Sequence, residues 1–241
     1  MIAIIVAGGK GTRLKPLTDK IPKPMVRVGD KPILEHILIM FKRQGISNFI
    51  FALCYKPKVI TDYFGNGKRF GVNIKYTYEK ENQPLGTAGA ITPAQKYIKK
   101  TFIVTYADIL RQLDIKKLIK SHQKNQAFAT LNTYQHFANP KSIIIFDQHQ
   151  KIIQFIERPN PRQIKKHQNK NNSVWSNASF YILEPEVFKY IPKDIKTDFG
   201  FDVFPKILSS KKKIYAYPSI GHFIDIADKE TLKLARLNYR F

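Results

Sequence analysis

A chain of 241 residues is long enough to bury a large core as one α/β domain, and its hydrophobic content of 43% is that of a globular protein. No apolar run is long enough to cross a bilayer and no charged-then-apolar leader is present, so no membrane partner is expected. The single cysteine, Cys54, excludes an internal disulfide, fits a reducing cytoplasm and reads as a buried, inert thiol. The net charge of +23 has two readings, an acidic polymer or membrane partner, or lysine enrichment around a site that handles polyphosphate. The lysines are spread along the whole chain without zinc-ligand, RNP or basic heptad patterns, which favours the second reading and makes nucleic acid an unexpected partner.

Residues 2–7 are a short, β-branched apolar run ending at glycines, the pattern of a buried parallel strand. Gly8, Gly9 and Gly11 then allow a sharp turn and a close approach to a ligand, and successive N–H groups in such a turn form an anion-binding nest. Arg13 suits a bidentate grip on phosphate oxygens, and Lys23, inside Pro22-Lys23-Pro24, adds a compact point charge at the same mouth. The turn is not a P-loop, since no Lys-Ser or Lys-Thr follows Gly11. Nor is it the dinucleotide fingerprint, since Leu14 stands where the third glycine belongs.

Asp30-Lys31-Pro32 opens a helix whose Ile33, Leu34, Ile37, Leu38 and Phe41 recur at helical spacing, with Gly45 as its stop. Residues 49–55 read as a strand, 57–64 as a helix and 72–78 as a strand. This βαβαβ rhythm predicts a parallel sheet with helices on both faces and ligands beyond the carboxyl ends of the strands. The segment Gln83-Pro84-Leu85-Gly86-Thr87 leads into a helix reaching about residue 99; Thr87 is either its cap or a ligand contact. Residues 101–106 form the next strand. Asp108, just past its end, is either a helix cap or a hard oxygen ligand for Mg²⁺. A helix over 113–124 and strands over 127–133, 142–146 and 152–156 follow. The polar stretch 159–173 lacks apolar periodicity and reads as a mobile loop, either a lid or plain disorder. A strand over 174–183, short helices over 185–191 and 201–208, a strand over 213–218 and an amphipathic helix over 229–239 complete the chain.

The string Ala7-Gly8-Gly9-Lys10-Gly11-Thr12-Arg13-Leu14-Lys15-Pro16-Leu17-Thr18, followed by Pro22-Lys23-Pro24-Met25, resembles the signature of the sugar-1-phosphate nucleotidyltransferases, or nucleotide-sugar pyrophosphorylases. The resemblance runs to about Leu237. It implies a Rossmann-like, mixed but mainly parallel sheet flanked by helices, the GT-A type of nucleotidyltransferase fold. It also implies a single domain over 1–241 with no C-terminal β-helix domain. The expected substrates are a nucleoside triphosphate and a sugar-1-phosphate. Ala7, Gly8, Gly9, Gly11 and Thr12, with Gln83, Pro84, Leu85, Gly86 and Thr87, would bind the nucleotide. Arg13 and the glycine-rich amides would hold the β- and γ-phosphates, and Lys23 would bridge the α-phosphate and the sugar phosphate.

Asp108, in Ala107-Asp108 where relatives usually have Gly-Asp, and Asp225, in Phe223-Ile224-Asp225-Ile226, match the family's two acidic Mg²⁺ ligands. Glu157-Arg158-Pro159 resembles the Glu-Lys-Pro segment that contacts the sugar and its phosphate, the alternative being an ordinary surface pair. Asn177-Ala178 matches a pair that contacts sugar hydroxyls, whereas Lys141-Ser142 stands where relatives often carry Tyr-Gly. His222 is either a substrate contact or a structural histidine, and the structural reading is preferred. The segments together look most like mannose-1-phosphate or heptose-1-phosphate guanylyltransferases. The same chemistry with UTP, dTTP or CTP on glucose- or N-acetylhexosamine-type 1-phosphates is the alternative, and a non-catalytic or nucleic-acid-binding relative is an alternative of another kind. A homo-oligomer is compatible with the sequence.

Overall fold

The computed structural model describes residues 1–137, 140–169 and 171–238. Its strands are β1 (Ile2–Val6), β2 (Arg27–Val28), β3 (Lys31–Pro32), β4 (Asn48–Leu53), β5 (Asn73–Tyr78), β6 (Phe102–Tyr106), β7 (Ile109–Arg111), β8 (Ala129–His136), β9 (Ser142–Phe146), β10 (Ile152–Glu157), β11 (Val174–Leu183), β12 (Ile214–Pro218) and β13 (Phe223–Asp225). Its α-helices are α1 (Leu17–Lys20), α2 (Ile33–Arg43), α3 (Pro57–Phe64), α4 (Gly86–Gly89), α5 (Ile115–Lys124), α6 (Pro161–His167), α7 (Phe204–Ser209) and α8 (Lys229–Asn238). None of the described helices is long and apolar enough to cross a membrane.

Seven strands join in the order β12-β8-β11-β6-β1-β4-β5. β5, β4, β1 and β6 are mutually parallel and β12 is parallel to β8, while β11 runs against both its neighbours. The sheet is therefore mixed and mainly parallel, as the resemblance implies. Strand alternation explains its two apolar faces. Ala3, Ile5, Phe49, Phe51, Ile103 and Phe180 pack on one side with α2, α3, α5 and α8. Ile4, Ile50, Val104, Tyr181 and Leu183 pack on the other with α7 and the segments around Ile91 and Val187.

Several elements depart from the sequence reading. The helix expected over 86–99 is the short α4 and a 3-10 turn, Thr92–Tyr97. Pro93 has no N–H to continue an α-helix, and the Thr92 hydroxyl donates back to the Gly89 carbonyl at 2.8 Å. The stretch 159–173 is not wholly a loop. α6 lies within it, started by Pro161 and by a capping box in which Asn160 and Gln163 exchange side-chain hydrogen bonds with each other's backbone. The helix expected over 201–208 begins as a wide turn, Phe199–Val203, before α7. Residues 185–191 form a 3-10 turn, Pro185–Tyr190. The last residue expected in the C-terminal helix, Tyr239, lies outside the described residues.

Candidate active site

From β1 the chain moves to β4 and β5 on one side, then crosses to β6 on the other. The crevice beyond the carboxyl ends of β1 and β6 is thus a topological switch point, where open α/β sheets place their ligands. The glycine-rich turn leaves β1 there and Asp108 leaves β6. Val6 lies opposite Tyr106, and the Ala107 N–H donates to the Val6 carbonyl at 3.0 Å, so the two loops start side by side. Gly11 has φ +65°, and a Cβ on it would stand 2.8 Å from the Cβ of Lys23. The missing side chain lets the turn pack onto the Pro22-Lys23-Pro24 segment. Lys23 is buried, and its Nζ donates to Asp108 Oδ2 at 2.5 Å.

A cavity of about 260 Å³ lies on the β4–β5 side of this pair, lined by Ala7, Gly8, Gly9, Pro84, Gly86 and Thr87. Gly86, at φ +78°, passes under the Thr197 backbone; a Cβ would stand 2.6 Å from the Thr197 carbonyl oxygen. Glu79, at the end of β5, also lines the cavity. Its Oε2 accepts the Leu85 N–H at 2.6 Å, and burial raises its pKa above the usual carboxylate value. Cys54 borders the same space, and burial followed by the charges of Glu79 and Glu81 pushes its thiol up, in keeping with an inert sulfur.

A second cavity, of about 190 Å³, adjoins the first. Both are lined by Lys23, Thr87, Tyr106 and Asp108. The second adds Arg13, Lys141, Glu157, Asn177, Asp198 and Asp225. The antiparallel pairing of β7 with β13 brings the two candidate metal ligands together. Asp225 lies opposite Ile109, and the Ile226 N–H donates to the Asp108 carbonyl at 3.0 Å. Asp225 is ion-paired with Lys141. Asp108, between β6 and β7, and Asp225, in β13, are oxygen donors of the kind a hard cation takes when phosphate oxygens complete its shell; among the described residues no group of three or more His, Cys, Asp or Glu is placed to hold a metal by itself.

Beneath the acids lies Arg111. Its buried guanidinium donates to the Ala178 carbonyl at 2.6 Å and lies 5.4 Å from the ring centres of both Phe180 and Phe223. Burial draws its pKa down to about 10. Ala178 belongs to a bulge in β11, where the register with β8 breaks between Asn177 and Tyr181. The bulge turns Asn177 into the cavity, with its Nδ2 donating to the Tyr181 hydroxyl at 2.8 Å and its Oδ1 accepting the Ser179 N–H at 2.9 Å. Glu157, at the end of β10, is pushed up to about 7, first by burial and then by the charge of Asp198. Asp198 in turn accepts the Thr87 hydroxyl at 2.6 Å, and that hydroxyl accepts the Phe199 N–H at 3.0 Å, so Thr87 ties α4 to the 198–199 segment and does not cap the helix.

Of the residues named from sequence, Arg13, Lys23, Ala7, Gly8, Gly9, Pro84, Gly86, Thr87, Asp108, Glu157, Asn177 and Asp225 line one cavity or both. Gly11, Thr12, Gln83, Leu85 and Arg158 line neither. Gly11 shapes the turn, Thr12 starts a 3-10 turn, Gln83 is exposed in a turn, and Leu85 is buried with only its N–H directed to Glu79. Arg158 is exposed, and its guanidinium lies 5.6 Å from the Phe201 ring centre. Sequence reasoning did not single out Glu79, Arg111 or Asp198 as site residues. Glu79 had a readable signal, a carboxylate at a strand end just before the Pro84 segment. Asp198 reaches the site from far along the chain and carries no motif.

Comparison with known sequences decides the family: the profile of the nucleotidyl transferases matches residues 2–238. The chain belongs to the nucleotidyl transferase family. This nucleotidyl transferase is 33% identical over 239 residues to the UTP–glucose-1-phosphate uridylyltransferase of Synechocystis sp., in an alignment of 94% of this chain and 60% of that protein. The chain thus spans about three fifths of that relative's length. It is 34% identical over 231 residues to the D-glycero-α-D-manno-heptose 1-phosphate guanylyltransferase of Campylobacter jejuni, covering 95% of this chain and 96% of that one. The crystal structure of HddC from Yersinia pseudotuberculosis complexed with GMP-PN superposes with a TM-score of 0.78 at 31% identity, covering 99% of both chains.

Proposed function

We propose that this nucleotidyl transferase moves a nucleoside monophosphate from a nucleoside triphosphate to a sugar-1-phosphate, releasing pyrophosphate and forming a nucleoside diphosphate sugar. GTP and mannose- or heptose-1-phosphate are the favoured pair. The observation that carries the reading is the pair of adjoining cavities that share Lys23 and Asp108. One wall then serves two ligands, as a transfer between two phosphates requires.

The acceptor phosphate is largely dianionic at neutral pH, its second pKa being about 6, so its oxygen attacks the α-phosphorus without a general base. Repulsion between the anions and their alignment are what the site must overcome. Lys23 stands between the two cavities, where it neutralises both reacting phosphates. Arg13 at the mouth and the amides of the glycine-rich turn suit the departing pyrophosphate. Asp108 and Asp225 would hold a Mg²⁺ ion, whose charge would add to the neutralisation of the phosphates.

Glu79 favours guanine. An ionised carboxylate only accepts hydrogen bonds, and guanine presents N1–H and the N2 amino group as adjacent donors. Uracil and thymine present one N–H between two carbonyl oxygens, which a carboxylate repels. The relatives named above include both a guanylyl- and a uridylyltransferase, so a substrate panel is the test. Pyrophosphate release is measured for GTP, UTP, dTTP and CTP against mannose-, heptose-, glucose- and N-acetylglucosamine-1-phosphate. The expected result is release with GTP and a manno-configured acceptor, and a loss of the preference for GTP over UTP in Glu79→Gln. Release with UTP alone overturns the choice of base, and silence from folded protein across the panel counts against the reaction.

A further inference from the structure

The acceptor cavity has a shortage of available positive charge. Counting side chains alone, its lining holds Asp108, Asp198 and Asp225, together with Glu157, whose pKa is pushed up to about 7, against three cations, Arg13, Lys23 and Lys141. Lys23 is held by Asp108 and stands at the junction with the nucleotide cavity, where the α-phosphate also needs it. Arg13 is at the mouth. Arg158, the residue that sequence resemblance assigns to the sugar phosphate, lines neither cavity. Its φ is +47° and its guanidinium lies by the exposed Phe201 ring. A dianion entering this cavity therefore needs a side-chain cation on the acceptor side, beyond the metal that Asp108 and Asp225 would hold.

We propose that Lys141, at the start of β9, binds the phosphate of the sugar-1-phosphate in place of Arg158. The two residues are neighbours across the β9–β10 hairpin. Ser142 lies opposite Glu157, and the Arg158 N–H donates to the Lys141 carbonyl at 2.8 Å. Lys141, just before β9, thus lines the cavity, whereas Arg158, just after β10, does not. Lys141 is pre-aimed by its ion pair with Asp225, one of the two carboxylates at the reacting end of the crevice. An ammonium has three N–H donors on a flexible stem, so it can keep Asp225 and still donate to a phosphate oxygen. The Arg158 guanidinium instead rests beside the Phe201 ring, outside that lining. The backbone under Lys141 is anchored as well: the next residue's hydroxyl, Ser142 Oγ, is 3.1 Å from Ser176 Oγ and accepts the Asn177 N–H at 2.9 Å. The acceptor-phosphate cation and the residue at the sugar-hydroxyl position therefore share one support.

The inference rests on the acceptor reading above. It is tested with Lys141→Met, Lys141→Arg and Arg158→Met, using steady-state kinetics on the pair the substrate panel selects and calorimetric binding of mannose- and glucose-1-phosphate in EDTA. Lys141→Met is expected to raise the KM for the sugar-1-phosphate roughly 10- to 100-fold, the range for a lost charged hydrogen bond, while the KM for the nucleotide stays within about twofold. It is also expected to weaken 1-phosphate binding in EDTA by a similar factor, with Lys141→Arg recovering most of both losses. Unchanged acceptor KM and binding in Lys141→Met, or the same loss in Arg158→Met instead, overturns the assignment while leaving the reaction standing. Wild-type protein that neither binds nor converts any 1-phosphate overturns the reaction and this inference together.

Discussion

At the scale of single residues, the crevice depends on charges whose surroundings set their state. Lys23 is buried and held by Asp108 at 2.5 Å, and it lines both cavities. Lys23→Ala is expected to lower turnover by about 10²-fold or more, as loss of a preorganised charge stabiliser does, with an unchanged circular dichroism spectrum. Near-normal turnover in that variant would remove Lys23 from the chemistry. Glu157 gives a prediction of a different kind. Its carboxyl is pushed up to about 7 in the folded chain against an ordinary 4.5, chiefly because it is half-buried. Between those values the folded chain keeps a proton that the unfolded chain has released. Glu157 therefore contributes stability at low pH that is lost as pH rises through about 7. Thermal unfolding across this interval is expected to show a fall in wild type that is flattened in Glu157→Gln. Parallel curves for the two proteins would contradict the buried position of the carboxylate. Legibility at this scale was uneven. Arg13, Lys23 and Asp108 announce themselves because glycines, prolines and strand ends frame them. Arg158 was harder to place, because a motif states residue type and order, not the φ of +47° that sets where the side chain lies.

At the scale of elements, β7, β13 and the bulge of β11 form the floor under the two candidate metal ligands, and Arg111 ties them together. Arg111→Met keeps most of the stem but leaves the Ala178 carbonyl without its charged donor. A loss of roughly 2–3 kcal/mol is expected, in the range for a hydrogen bond to a charged group plus an unsatisfied buried partner. It should appear as a lower urea midpoint at constant m-value. An unchanged midpoint would mean that the floor is held by other contacts. These elements were hard to read because β7 and β13 have three residues each, too few for alternation to show. α6 was missed for a related reason. It buries no residue and so has no apolar period, and only its Asn160–Gln163 capping box marks it. β1, α2, β4 and α3 were legible to within a residue or two, because the two strands are apolar on both faces and each helix sends one face into the core.

At the scale of the whole molecule, one crossing in the chain creates the site. The excursion from β1 through β4 and β5, and the return to β6, open the crevice into which the glycine-rich turn and Asp108 both project. The order of strands and the single reversed strand β11 are not visible in local pattern, because pairing partners lie far apart in sequence. The crevice itself was nevertheless predictable, since a parallel βαβαβ start forces ligands to the carboxyl edge. The central claim is that two phosphates meet across Lys23 and that a nucleotidyl group, rather than a terminal phosphate, is transferred. Phosphorus NMR of the protein with Mg²⁺, GTP and mannose-1-phosphate, or with the pair the panel selects, tests this most directly. The account predicts that a sugar-linked diphosphate and free pyrophosphate grow in equal amounts while the sugar-1-phosphate resonance declines. Formation of inorganic phosphate and nucleoside diphosphate, with the sugar-1-phosphate untouched, would contradict it.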